Sequence, residues 1–210
     1  MVQNFERLCA EFISSVKITD SVHDFSHVQR VVTNAKAILM EETADHEIVI
    51  AATWLHDCVV LPKNDPDRKK ASLLAAQKAT DFLSELSFPK HKLPAVAHAI
   101  ESHSYSADIT PTTTEAKIVQ DADRLDALGA IGLARCFTVG GITGRLLYST
   151  EDPFCETRIP DDSQFTLDHF FTKLFKLPEL MHTQSAKKEA VSRIDFMKDF
   201  LQKLGMEIPK

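Results

Sequence analysis

Trp54-Leu55-His56-Asp57 ends an apolar run by setting an imidazole beside a carboxylate, a pair able to hold a divalent cation or to move a proton. Burying two such groups is costly unless each has a partner. Val49 and Ala52 lie seven and four residues before His56 and Val60 four after it, so on a helix all three share its face and turn it inward. A core histidine bonded to Asp57 or to backbone would satisfy this dipeptide taken alone, so the metal reading rests on the rest of the chain.

Three more positions bear on it. In Val22-His23-Asp24-Phe25-Ser26-His27, His27 has Val31 four residues later and Ile38 eleven later, and so faces inward as His56 does. Asp123 shares a helical face with Val119, Ala127 and Ala130, a costly place for an unpaired carboxylate. Asp121 and Asp126 fall on other faces and read as solvated or supporting groups. His27, His56, Asp57 and Asp123, from three separate helices, give a hard-to-borderline cation four ligands and leave positions open for water and substrate, as a catalytic site requires. No thiolate joins the set, which favours one ion of manganese, magnesium, iron, cobalt or nickel per chain over structural zinc.

The elements that must position these groups are helices. Phe5, Leu8, Cys9, Phe12, Ile13 and Val16 trace one apolar face of a first helix. Lys17 to Ser26 is a connection whose Asp20, Ser21 and Asp24 offer cap chemistry to a second helix carrying Val28, Val31, Val32, Ala35, Ile38 and Leu39. Ile48 to Val59 is a third, left through the two prolines of Leu61-Pro62-Lys63-Asn64-Asp65-Pro66. A fourth spans Arg68 to Leu86 and a fifth Pro94 to Ser102. The sixth, Glu115 to Ala127, continues through Leu128-Gly129-Ala130-Ile131-Gly132, whose small residues suit a close helix crossing. Val139 to Pro160, rich in glycine and proline, reads as irregular, a candidate lid, and lacks the GK[ST] ending of a phosphate loop. A short amphipathic piece from Phe165 to Leu177 and a last helix through Ala190, Ile194, Met197, Leu201 and Leu204 follow. With no alternating strand pattern, repeat or linker, the predicted fold class is all-α, a single domain over 1–210 with a metal-binding core about 20–135 and a C-terminal helical part about 160–205.

Composition agrees with that class. The 210 residues are 44% hydrophobic and 26% charged, enough apolar material for a full core. A formal charge of -6 argues against a general nucleic-acid surface but leaves room for a local basic pocket. Cys9, Cys58, Cys136 and Cys155 contain no CxxC pair and read as buried hydrophobes in a reducing, cytoplasmic setting. The charged N-terminal segment is neither a signal peptide nor a membrane span.

The order His, His-Asp, later Asp resembles the HD-domain superfamily of metal-dependent phosphohydrolases. HDFSHVQRVV, WLHDCVVLPKNDPDR, HAIESHSYS, TTEAKIVQDADRLDALGAIGLAR, EDPF and LDHFFTKL are together similar to the bacterial YedJ/YpgQ-type hydrolases along nearly the whole chain. The resemblance assigns the metal to His27, His56, Asp57 and Asp123, the four that the inward-facing positions select. It implies an all-helical fold and hydrolysis of phosphoester or phosphoanhydride bonds, with nucleoside triphosphate pyrophosphohydrolysis suggested for YpgQ-like members. Cys58, Val59 and Val60 stand where 5'-nucleotidase-like and alarmone-hydrolysing HD proteins carry acidic residues, so neither activity transfers.

Such chemistry needs the ion to make water acidic enough to attack phosphorus, with Asp57 or a neighbouring acid accepting the proton. Lys63, Arg68 and Arg124, beside the ligand-bearing segments, are the candidate substrate-binding cations. Between the HD pair and Asp123 stand His98 and His103, where two-metal phosphodiesterases and di-iron oxygenases of the superfamily place further ligands. Five residues apart they face different directions, and His103, at the predicted helix end, is the candidate catalytic or phosphate-binding histidine. His23, His46, His91, His169 and His182 read as surface or capping residues. The expected partner is a small phosphorylated substrate, a nucleotide, with no nucleic acid or membrane and with a homodimer allowed. Cyclic-nucleotide phosphodiesterase, di-iron oxygenase and non-catalytic metal- or nucleotide-binding module are the competing readings.

Overall fold

Apolar side chains recur at helical spacing and the chain builds helices from them. A computed structural model describes residues 2–16, 24–61, 65, 67–104 and 107–209, with side chains from residue 5 onward. The elements are α1 (Val2–Ser15), α2 (Phe25–Leu39), α3 (His46–Leu55), α4 (Ala71–Glu85), α5 (Leu93–His103), α6 (Thr114–Leu125), α7 (Gly129–Ile142), α8 (Asp168–Thr172) and α9 (Gln184–Glu207). Among the described residues there is no β-strand, only an isolated bridge between Leu146 and Phe165, and no single helix is long and apolar enough to cross a membrane. The fold is all-α, in two compact units, Met1–Asp123 and Arg124–Lys210.

In the first unit α3 is the central element, packed against α1, α2, α4 and α5, with every residue from Ile48 to Leu55 buried. Asp45 starts it by accepting from the backbone N–H groups of Glu47 and Ile48 at 3.0 and 3.3 Å, and Lys92 joins Asp45 and Glu47 at 2.7 Å each. The helix predicted to reach Val59 stops at Leu55 instead. In a continuing helix the Thr53 carbonyl would accept from the Asp57 N–H; here the His56 ring occupies it at 2.7 Å. The Cys58 N–H then closes a tighter turn on the Leu55 carbonyl at 3.1 Å. Val60 therefore lies beyond the helix and does not share its face. Asp24 is the cap of α2, accepting from the His27 N–H at 2.9 Å; Asp20, Ser21 and His23 lie outside the described residues. Arg68–Lys70 forms a 3-10 turn before α4.

The sixth helix does not run on through Gly132. It ends at Leu125, and α7 begins at Gly129. Arg135 holds the turn by donating to the Asp126 carbonyl at 3.2 Å and carboxylate at 2.5 Å. A Cβ on Gly132 would lie 2.2 Å from the Ala127 carbonyl oxygen, so this small residue serves the turn rather than a helix crossing. The segment expected to be irregular from Val139 is helical to Ile142. Beyond it the chain is fastened rather than loosely hinged. Leu146 pairs with Gln164 and Thr166 at 3.0 and 2.8 Å, Asp152 accepts from the N–H groups of Glu156, Thr157 and Arg158, and Arg158 grips the fully buried Asp168 carboxylate at 2.5 and 2.6 Å.

Gly140 marks the closest approach to that fastened segment: an added Cβ would meet Thr166 Oγ1 at 2.2 Å and Cγ2 at 2.7 Å. Gly140→Ala is expected to destabilise the protein by about 1–3 kcal/mol, read as a lowered melting temperature, with partial recovery in Gly140→Ala/Thr166→Ala. Burial raises the Asp168 pKa, but the Arg158 bonds override it and hold the carboxyl below its usual range. That stabilisation is present above the ordinary carboxylate pKa, near 4, and is lost as pH falls through the depressed folded value. Asp168→Asn should therefore cost about 3–5 kcal/mol at neutral pH, and its deficit against wild type in urea melts should shrink in strong acid.

Candidate metal centre

Four separate helices deliver the site, and its residues all lie in the first unit. His27 stands in the first turn of α2, His56 and Asp57 just beyond the end of α3, His103 at the end of α5, and Asp123 near the end of α6. The positioning bonds come from the backbone. His56 Nδ1 donates to the Thr53 carbonyl at 2.7 Å and His103 Nδ1 to the Ile100 carbonyl at 2.6 Å. A carbonyl only accepts, so in each ring Nδ1 carries a proton; His56, whose pKa burial lowers, then presents the Nε2 lone pair, while Nε2 of His103, whose pKa the nearby Asp57 raises, is the atom that takes a second proton. α6 is held in place by three further bonds: Gln120 Nε2 donates to the Ser102 carbonyl at 2.6 Å, Asn34 Nδ2 to the Ala122 carbonyl at 3.0 Å, and the Asp45 N–H to Glu115 at 3.0 Å.

The side chains converge on one point. His27 Nε2 lies 3.6 Å from Asp57 Oδ2 and 3.4 Å from Asp123 Oδ1. His56 Nε2 is 3.5 Å from Asp57 Oδ2 and His103 Nε2 3.5 Å from Asp57 Oδ1. Charge-assisted hydrogen bonds close to about 2.7–2.9 Å, whereas adjacent ligands each about 2.1 Å from a shared ion stand roughly 3 Å apart. The observed separations lie nearer the second case, and the ligand atoms of His27, His56 and Asp57 all fall within 4.8 Å of one another. His56 Nε2 is buried with no hydrogen-bond partner among the described residues, which a metal ion would supply. The residues fit the group.

Electrostatics agree with deprotonated ligands. Burial lowers the His56 pKa against the opposing pull of Asp57. Asp57 and Asp123 are penalised by burial but held below the carboxylate range, Asp57 by His56, His103 and His27 and Asp123 by His27 first. Burial would lower His103, yet its bond to Asp57 raises it. Asp123, with 30% of its side chain exposed against 16% for Asp57, forms the open side. Cys58 is no ligand: burial drives its thiol up to about 12 while Sγ donates to the Ala75 carbonyl at 3.3 Å.

His98, the other intervening histidine, stays apart: its Nε2 accepts from the Thr112 N–H at 3.0 Å. Asp121 and Asp126 are buried, not solvated, Asp126 in its pair with Arg135. Arg124 donates to the Leu180 carbonyl, Arg68 sits in the turn before α4, and Lys63 lies outside the described residues. His46, His91 and His182 are exposed, His23 lies outside the described residues, and His169 pairs with Asp162 at 2.7 Å. Cys9, Cys58 and Cys136 are buried as expected, whereas Cys155 is half-buried. The supporting Thr53, Asn34 and Gln120 were not legible as such. Thr53, three residues before His56, is the one with a local signal, because a carbonyl at that spacing is within reach of a ring that ends the helix.

Single replacements His27→Ala, His56→Ala, Asp57→Ala and Asp123→Ala are each expected to lower bound divalent metal, measured by elemental analysis of dialysed protein, because an open site has no spare donors. Full occupancy in any one of them would remove that residue from the ligand set.

Comparison with known proteins places this geometry. Residues 24–128 match the HD domain family. The Bacillus subtilis protein YpgQ is 35% identical over 193 residues, 90% of this chain and 86% of that one. An HD-superfamily hydrolase from Bacillus thuringiensis superposes with a TM-score of 0.76 at 34% identity, covering 99% of this chain and 98% of that one. A structure of Bacillus subtilis YpgQ in complex with ADP does so with a TM-score of 0.76 at 30% identity, covering 99% and 96%. The family match takes in His27, His56, Asp57 and Asp123 together, and the chain belongs to the HD-domain family as an HD-superfamily hydrolase.

Proposed function

We propose that the chain is a metal-dependent phosphohydrolase that cleaves nucleoside triphosphates to a monophosphate and pyrophosphate. The observation that carries this reading is the convergence of imidazole Nε2 atoms and two ionised carboxylates at 3.4–3.6 Å around one point. A divalent cation held by His27, His56, Asp57 and Asp123 would supply Lewis acidity, acidifying water and offsetting charge on a phosphoryl oxygen. Nucleotide as substrate class draws support from the complex of YpgQ with ADP, and release of pyrophosphate from the resemblance to YpgQ-like members.

The chain's own residues divide the remaining work. Asp57 turns Oδ2 toward His27 and His56 and Oδ1 toward His103, so one carboxylate serves the ligand side and orients the nearby imidazole. His103 keeps its Nδ1 proton on the Ile100 carbonyl, which leaves Nε2 as the atom that gains a proton, and Asp57 stabilises the charged ring. That proton is positioned to neutralise a phosphoryl or leaving oxygen. Water is excluded from the deep side by the burial of His27 and His56, 0% and 1% exposed. The thiol of Cys58, beside the ligands, is held protonated and offers no nucleophile. A two-metal alternative would draw on His98 or His103, and His98 Nε2 already accepts from the Thr112 N–H.

Hydrolysis of a nucleoside triphosphate in ¹⁸O-water tests the reading. Label in the monophosphate with unlabelled pyrophosphate is expected; label in orthophosphate would make the protein a terminal phosphatase. A metal-loaded protein that turns over no phosphorylated compound in a broad screen would bring the oxygenase and binding-module readings forward.

A further inference from the structure

A second buried polar atom is left unsatisfied outside the metal centre. Ser72 is 3% exposed, and its Oγ has no hydrogen-bond partner among the described residues. Other helical hydroxyls in the same unit bond back one turn: Thr53 to the Val49 carbonyl at 2.6 Å, Ser102 to His98 at 2.7 Å and Thr80 to Ala76 at 3.0 Å. Ser72 does not, and so carries the desolvation cost of an unmade bond.

Its position says what would meet it. Ser72 is the second residue of α4, a helix of 15 residues whose N-cap position is held by Lys70 with no side-chain cap bond. Side chains on a helix tilt toward the N-terminus, so the hydroxyl leans toward the 3-10 turn Arg68–Lys70, whose Arg68 carbonyl already accepts from the Ala71 N–H. Arg68, Lys69 and Lys70 precede it. Lys70 pairs with Asp67 at 2.7 Å, whereas the half-buried Arg68 makes no side-chain hydrogen bond or ion pair with a described residue. One turn further along the same helix, the Ala75 carbonyl accepts from Cys58 Sγ at 3.3 Å and Lys78 donates to the Cys58 carbonyl at 3.3 Å. The Ser72 end of α4 is thereby tied to the residue that follows Asp57.

We propose that the Ser72 hydroxyl and the Arg68 guanidinium, four residues apart, form an anion subsite that takes a phosphate group of the substrate. A phosphate oxygen accepts from the Ser72 O–H and from the Arg68 N–H groups, satisfying the buried hydroxyl and adding a charge-assisted bond. The identity of the anion as substrate phosphate rests on the proposed phosphohydrolase reading; the anion chemistry rests on Ser72 and Arg68.

The test is calorimetric titration of the full-length protein with inorganic pyrophosphate in EDTA, so that no metal contributes, alongside thermal melts without the anion. Ser72→Ala and Arg68→Gln are each expected to weaken pyrophosphate binding about tenfold, while Ser72→Ala melts at or above wild type because it removes an unsatisfied hydroxyl. With metal present, Ser72→Ala should raise KM with metal content unchanged. Pyrophosphate affinity unchanged in both variants overturns the subsite and leaves nucleotide hydrolysis standing on its own assay. A wild type that hydrolyses no nucleotide yet binds pyrophosphate through Ser72 and Arg68 would keep the subsite and discard the hydrolytic reading. A lowered melt for Ser72→Ala with unaltered affinity would assign the hydroxyl a packing role and overturn the proposal.

Discussion

The structure depends on one electrostatic constraint: imidazoles and ionised carboxylates must share a pocket that water barely reaches. His27 and His56 are 0% and 1% exposed, and Asp57 remains ionised despite burial because three imidazoles surround it. An isolated carboxylate there would protonate or unfold its surroundings. The cluster is stable only as a set, which makes a cation the natural complement to it and explains why its parts arrive from several helices at once.

Two of the histidines meet that constraint with the same device. His56 and His103 each donate Nδ1–H to the carbonyl three residues earlier, so each ring ends its own helix and fixes its own tautomer. A helix leaves its last carbonyls without partners, and the imidazole supplies one while freeing Nε2 for the site. At α3 the consequence is visible in the backbone, because the chain turns at His56 and brings Asp57 round to face His27 and His103.

Asp123 reaches the cluster by a different route. α6 is held by Gln120 to α5 and by Asn34 to α2, so the helices that bear His103 and His27 are both coupled to it. The second unit has its own buried charge, Asp168, satisfied by Arg158 and by the Asp161 N–H at 2.6 Å. In each unit an ionised carboxylate at the interior organises the backbone around it.

The helical class and the inward-facing acids and imidazoles were legible in the amino-acid order, since apolar spacing around His27, His56 and Asp123 already states which way they point. The family resemblance along the chain carried the same four positions to the metal. Only the tertiary structure decided where the helices stop, and that moved Asp57 off α3, split α6 from α7 at the Asp126–Arg135 turn, and carried Gly140 into α7 against Thr166. It also buried Asp121 and Asp126 and left the hydroxyl of Ser72 unsatisfied. Periodicity reports the face of a residue within its own helix. Termination, tautomer and satisfaction of a buried group depend on which carbonyl or side chain from another turn or helix stands opposite, and local spacing does not contain that.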